Sequence, residues 1–315
     1  MAVPVLSTVT RTQGNNRALK DGVVRPRGFE LRFEEVPVLV QAFRRMVRGL
    51  EFDVSEMALT TYLCARAHGV AFTALPVFLV RGFHHGAISY RTDRGITGPA
   101  DLAGRRVGVN RGYTVTTGVW VRGILQDEYG LDPSSVTWVL SGDEHVADYR
   151  PPPNVVAKPD DRSLEELLVA GEVDAVIGVD VEHPDVAPLL PDAEEAGYRS
   201  LVERGTYPIN HLVVVKDSVL AEHPDAAVAV FEAFAESKRR YVDRLRAGDV
   251  EAPDATDRMY ARVLQLTGDD PLPYGIEPNR AVLERLVDHA VAQRILTEPV
   301  PIESVFAEST LGLTG

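Results

Sequence analysis

"GRRVGVNRGYTVTTGVWVRGILQDEYG", residues 104 to 130, reads as a strand, a polar turn and a helix in immediate succession. "RVGV" is a short apolar run, "NRGYTVTT" a polar turn, and "TTGVWVRGILQDEYG" an apolar-rich helix stopped by Gly130. The segment "SVTWVL" then restarts a strand. A strand, a helix and a second strand in that order describe an α/β unit around a mainly parallel sheet.

The same alternation extends in both directions. Upstream, "VPVLST", "FELRFEEV", "FDVSEM" and "FTALPVFLV" read as strands, with helices expected over residues 38 to 49 and 57 to 68. In "VLVQAFRRMVRGL" the side chains of Val40, Phe43, Met46, Val47 and Leu50 fall on one helical face. Downstream, a proline-rich loop, "YRPPPNVVAKPDD", precedes "SLEELLVAGEVDAVIGVD", a helix followed by a buried strand. Ser163 is its N-cap and Glu166 the capping-box partner. After a polar, proline-bearing region from 181 to 205, "INHLVVVKD" is a strand and "HPDAAVAVFEAFAESKRRYVDRL" a long amphipathic helix. The expected division is one lobe over residues 1–90 plus 207–315 and a second over 91–206, with a cleft where the chain crosses. Ligands in such folds sit at strand carboxyl ends, helix amino termini and domain interfaces.

Composition narrows the function classes. The 315 residues carry a formal charge of -13, which opposes nucleic-acid binding, a process that needs a basic stripe. No window reaches the roughly 18 consecutive apolar residues of a membrane span. "MAVPVLSTVTRTQGNNR" lacks a basic n-region, so a cytoplasmic protein is expected. Cys64, the one cysteine, lies in "LTTYLCARA" and reads as a buried hydrophobe on a helix; an intramolecular disulfide and a thiolate metal site are excluded.

Five stretches, "FDVSEMALTTYL", "LPVFLVRGFHHGAI", "GRRVGVNRGYTVTTGVWVRGILQDEYGL", "YPINHLVVV" and "DPLPYGIEPNR", resemble the 4,5-dihydroxyphthalate decarboxylase family in order and spacing. The resemblance runs from about residue 28 to the carboxyl terminus, leaving 141–160 unmatched. It implies a two-lobed fold like the type 2 periplasmic binding proteins, with a central cleft, and non-oxidative decarboxylation of a hydroxylated aromatic carboxylate. The family motif at the strand entry has the sense Phe-Arg-His-Ser. Here Phe83, His84, His85 and Gly86 stand in that register, so His85 matches the family histidine and His84 replaces an arginine.

Direct loss of carbon dioxide from a benzene ring would leave an in-plane aryl carbanion that the π system cannot delocalise. The ring carbon must be protonated first, and a hydroxyl para to the carboxylate can supply the electron push. Such a site needs a general acid, a partner for the phenol and cationic or dipolar groups for a second carboxylate; no cofactor is required. Histidine suits the acid role, and the family match nominates His85 and His211, His85 as ring-carbon acid and His211 with Glu56 as the partner of the phenol. A hydrogen-bonded structural histidine is the alternative for each. Strand alternation would turn His84 away from the face of His85.

Glu56 and Ser55 are expected just before a helix; the alternative there is capping, by Ser55 or Asp53 with Glu56 in the first turn. Arg111, Tyr113, Thr114, Thr116 and Thr117, ahead of the helix that carries Trp120, suggest an anion site of free amides and hydroxyls. Arg81 is a candidate grip on the spectator carboxylate, or else one side of an interdomain ion pair. Tyr207 and Asn210 stand beside His211, and Tyr274 is a further candidate from the tail. "GVNRG" lacks dinucleotide-fingerprint spacing, and "GDEHVAD" and "VDVEHPD" carry no recognised metal-ligand spacing; no metal is expected. The expected partner is a small aromatic carboxylate, with no nucleic acid and no membrane; self-association stays open. Two rival readings are a non-catalytic binding protein for a small anion and a biosynthetic lyase acting on another carboxylate.

Overall fold

The structure is a computed structural model that describes residues 3–315. In chain order the strands are β1 (Val5–Val9), β2 (Glu30–Phe33), β3 (Val54–Ala58), β4 (Phe72–Arg81), β5 (Ile88–Arg91), β6 (Arg106–Val109), β7 (Thr137–Leu140), β8 (Val155–Ala157), β9 (Ala175–Ile177), β10 (Val186–Pro188) and β11 (Ile209–Lys216). The α-helices are α1 (Arg17–Lys20), α2 (Leu39–Gly49), α3 (Leu59–Ala67), α4 (Thr116–Tyr129), α5 (Leu164–Val169), α6 (Ala193–Arg204), α7 (Asp217–Glu222), α8 (Ala226–Ala247), α9 (Ala255–Thr267) and α10 (Arg280–Ala292). None of these helices is long and apolar enough to cross a membrane.

Two compact units result. The first holds Met1–Gly82, Ile209–Glu284 and Val300–Gly315; the second holds Phe83–Pro208 and Arg285–Pro299. Residues 83–90, read from sequence as part of the first lobe, lie in the second unit because β5 pairs with β9 and β10 there. Residues 285–299, expected in the first lobe, also join that unit.

The first unit is built on a five-stranded sheet of order β2-β1-β3-β11-β4. β1 runs parallel to β2 and β3, whereas β11 runs antiparallel to both its neighbours. β3 and β11 are central, which accounts for the unbroken burial of Val54–Ala58 and of Leu212–Val215. Each valine or leucine buried there contributes roughly 1.5–3 kcal/mol. Asp53 ties three strands together: Oδ2 accepts from the Ser7 amide and hydroxyl at 2.8 Å each, and Oδ1 takes the Lys216 ammonium at 3.1 Å. Capping of α3 by Asp53 or Ser55, the alternative drawn from sequence, does not occur. The strand continues to Ala58, which is itself the N-cap, so Ser55 and Glu56 are strand residues.

The second unit has a six-stranded sheet of order β10-β5-β9-β6-β7-β8. Its central part is parallel, as expected from the opening stretch, and Gly130 ends α4 in the left-handed conformation at φ 70°. The Ser163–Glu166 capping box is present at α5, with the Glu166 amide 3.1 Å from Ser163 Oγ. Trp120, Trp138 and Arg122 are fully buried in this unit.

Candidate active site

In the first unit the register places Val213 opposite Glu56 and Ala58 opposite His211, so Glu56 and His211 are diagonal neighbours across β3 and β11. Their side chains meet, with His211 Nδ1 2.6 Å from Glu56 Oε1. The other carboxylate oxygen accepts the Arg11 backbone amide at 2.9 Å. Glu56 is fully buried, and both its oxygens are bonded, which is the condition for holding a carboxylate inside a protein. Phe43 meets the imidazole edge-on at 5.2 Å and fixes the ring plane. Nδ1 is engaged with Glu56, and the His211 side chain is 19% exposed.

Arg81 ends β4 and is 4% exposed. Its guanidinium donates to Asn279 Oδ1, while the Asn279 amide group donates to the carbonyls of Pro273 and Gly275 at 2.9 and 2.7 Å. The tail motif "DPLPYGIEPNR" therefore positions an arginine, a function that sequence reasoning did not assign to Asn279. Tyr274 of the same motif is fully buried, and no partner meets its hydroxyl among the described residues. Burial pushes this phenol well above its ordinary pKa; Tyr260, Asp270 and Glu56 add to the shift and Arg81 opposes it. Ser55 spends its hydroxyl on the Glu56 carbonyl at 2.8 Å. Asn210 is half-buried in β11 beside His211.

The other expected residues belong to the second unit. His85 opens a 3₁₀ turn, His85–Ala87, and His84 is its N-cap, so neither lies on a strand and the alternation argument does not apply. Both are buried, at 1% for His85 and 6% for His84; of the two positions open to His84, on an outer face or behind the residues that meet the ligand, the exposed one is not found. His85 Nε2 is 3.1 Å from Glu128 Oε2, and Glu128 Oε1 accepts the Ser200 hydroxyl at 2.8 Å. Burial raises the Glu128 carboxyl, but the bonds from His85 and Ser200 outweigh it and hold the pKa below the ordinary value. His85 Nδ1 is buried and meets no hydrogen-bond partner among the described residues. Each unit thus holds one of the expected histidines against a carboxylate, His211 against Glu56 in the first and His85 against Glu128 in the second. Glu128 was missed because nothing local marks a helix residue that acts on a turn 43 positions away.

The expected anion site is formed, but the chain itself fills it. The Tyr113 amide donates to Glu144 Oε1, and the Thr114 amide and hydroxyl donate to Glu144 Oε2 at 3.2 and 2.7 Å. Arg111 takes a left-handed φ of 72°, donates its amide to Ser141 Oγ at 2.7 Å, and is exposed. Thr116 is buried at the first turn of α4, and Thr117 is half-buried. Trp120 is a core residue. It meets His289 edge-on at 5.6 Å and lines a cavity of about 200 Å³ with Ile124, Asp127, Glu128 and Arg285. Tyr207 is buried and packs on Phe83 at 5.4 Å. Among the described residues no three His, Cys, Asp or Glu side chains converge as metal ligands.

No family model matches the chain. Over 269 residues it is 35% identical to a 4,5-dihydroxyphthalate decarboxylase of Comamonas testosteroni, spanning 79% of this chain and 81% of that one. Over 178 residues it is 37% identical to a 4,5-dihydroxyphthalate decarboxylase of Pseudomonas putida, spanning 51% and 69%. Among solved structures, a Candida albicans protein described as exhibiting the generic periplasmic binding protein fold aligns over 99% of both chains with a TM-score of 0.57 at 13% identity. That likeness shows the periplasmic-binding-protein fold, and fold alone does not specify activity. The matches to the two decarboxylases go further, because one of them covers four-fifths of both chains: this chain belongs to the 4,5-dihydroxyphthalate decarboxylase family.

Proposed function

We propose that this protein is a carboxy-lyase that converts 4,5-dihydroxyphthalate, or a closely related hydroxylated aromatic carboxylate, to carbon dioxide and the mono-acid. The observation that carries this reading is the Glu56–His211 pair, a buried carboxylate 2.6 Å from Nδ1 of a partly exposed imidazole. Glu56 holds the proton on Nδ1, so Nε2 is the base. It removes the proton of the hydroxyl para to the departing carboxylate, and electron density moves to the ring carbon. His85, backed by Glu128, is the proposed acid that protonates that carbon. The bond to the carboxylate then breaks, its electron pair restores aromaticity, and His211 returns the phenol proton. One proton is consumed per turnover, and solvent resupplies it to His85. Arg81, aimed by Asn279, is proposed to grip the spectator carboxylate; holding the departing one would stabilise the ground state and slow the step.

Turnover is tested by incubating the protein with 4,5-dihydroxyphthalate and measuring carbon dioxide and the mono-acid. In deuterated water the product should carry deuterium at the vacated ring carbon. E56Q and H211Q should each lower kcat by about 10²–10⁴-fold, the usual contribution of a general acid or base, and H85N should do the same with substrate binding largely spared. Wild-type rates in H211Q would sink the base assignment. Thermal stabilisation by the substrate without turnover would instead favour a small-anion binding protein. We also propose a cytoplasmic location, consistent with a fold that uses no disulfide, and cell fractionation checks it. The negative charge of -13 supports a small-molecule partner over nucleic acid.

A further inference from the structure

The carboxyl ends of the parallel strands β6 and β7 are where ligands bind in open α/β sheets. In this chain the loops that follow those strands are laced together. Ser141 donates its amide to the Val109 carbonyl at 3.1 Å and accepts the Arg111 amide on its hydroxyl, and the Gly142 amide meets the Arg111 carbonyl at 3.3 Å. Two residues further on, the Glu144 carboxylate lies in the cradle of Tyr113 and Thr114. Gly112 forms the wall: a Cβ there would stand 2.6 Å from Glu144 Oε2, so only glycine leaves the cradle open to a carboxylate. Behind the loop, fully buried Arg122 donates to the Tyr113 carbonyl at 2.6 Å and stands 3.9 Å from the Tyr113 ring centroid, and its Nη1 meets no hydrogen-bond partner among the described residues. Its positive charge interacts favourably with the Glu144 carboxylate and so favours an anion on the loop.

A carboxylate on two amides, a hydroxyl and an arginine field is the geometry a ligand's acid group would adopt. We propose that Glu144 is a tethered competitor for that cradle: a ligand carboxylate enters only by displacing it, which makes Glu144 the residue that sets carboxylate affinity at this end of the second unit. A tethered group competes at an effective concentration in the millimolar range, so weak monoanions are shut out while a carboxylate anchored by further contacts gains entry. The inference rests on the aromatic-carboxylate reading above only for the class of ligand.

The test uses acetate, phthalate and the neutral phthalamide as probes. With E144Q and E144A, phthalate should bind at least about tenfold tighter than to wild type, phthalamide should bind equally to all three, and acetate should raise the Tm of E144A saturably while leaving wild type unmoved. Unchanged or weaker phthalate binding in the folded variants, or no saturable response to either anion, overturns the proposal. Should both variants fail to fold, wild type decides. Saturation with phthalate should speed amide exchange over residues 141–149, and unchanged or slower exchange overturns the proposal. None of these readings uses turnover, so a missing decarboxylase activity would leave the outcome distinct.

Discussion

The Tyr274 hydroxyl is buried in the first unit and meets no hydrogen-bond partner among the described residues. In the unfolded chain water would satisfy it, so folding loses about 1–3 kcal/mol at this one atom. Y274F should therefore raise Tm, by an amount equivalent to about 1 kcal/mol, with turnover retained; a lower Tm in a calorimetric scan would show that the hydroxyl is bonded after all. At this scale the sequence was informative about residue types and silent about partners. Glu56 and His211 were legible because two family motifs name them, and β pairing does the rest. Glu128, Glu144 and Asn279 were not, since each finds its partner across 43, 30 or 198 positions of chain. Their side chains are ordinary surface types, and only packing decides that they turn inward.

Elements were read more fully where periodicity alone decides them. Central strands with continuous apolar runs, and helices ended by a left-handed glycine, stand where the pattern puts them. β8 was lost in "RPPPNVVAK" because three prolines stand just before it; they end at Pro153, outside the edge strand Val155–Ala157, whose residues pair with β7. α6 lay in the stretch 181–205, read only as polar and proline-bearing, although its own residues after Pro191 contain no proline and Gly205 ends it. The contact between α10 and α4 has a titratable consequence. His289 sits over Gly123, where a Cβ would come within 2.5 Å of the ring, and its Nε2 is 3.5 Å from Asp127. Burial lowers the His289 pKa below 6.5 despite Asp127 and Asp288, while Arg285 adds to the lowering. The folded state then binds fewer protons than the unfolded chain, so the contribution is complete above about pH 6.5 and is lost as pH falls below it. Tm should drop between pH 7 and pH 5.5, and H289Q should flatten that slope; an unchanged slope in H289Q would reject His289 as its source.

At the scale of the molecule, both units are assembled from separated segments, and the second depends on its shorter one. Residues 285–299 supply Gln293, whose Oε1 accepts Arg122 Nε at 2.7 Å, and the Arg294 carbonyl that accepts the Tyr149 hydroxyl at 3.4 Å. Without Gln293 a fully buried guanidinium loses a hydrogen bond, and a hydrogen bond to a charged group contributes about 1.5–3 kcal/mol. A fragment of residues 83–208 should fail to fold, and the same fragment joined through a flexible linker to 285–299 should show a cooperative melt; folding of the shorter fragment alone would refute this. The placement of Trp120 and Trp138, the only two tryptophans of the chain, also matters for spectroscopy. Both indoles are sealed inside the second unit, and Trp138 has the Arg122 guanidinium 5.5 Å from its ring. Excitation at the indole band therefore illuminates half of the protein: the emission spectrum follows the second unit, and the unfolding of the first, tyrosine-bearing unit passes unseen unless it is followed by circular dichroism.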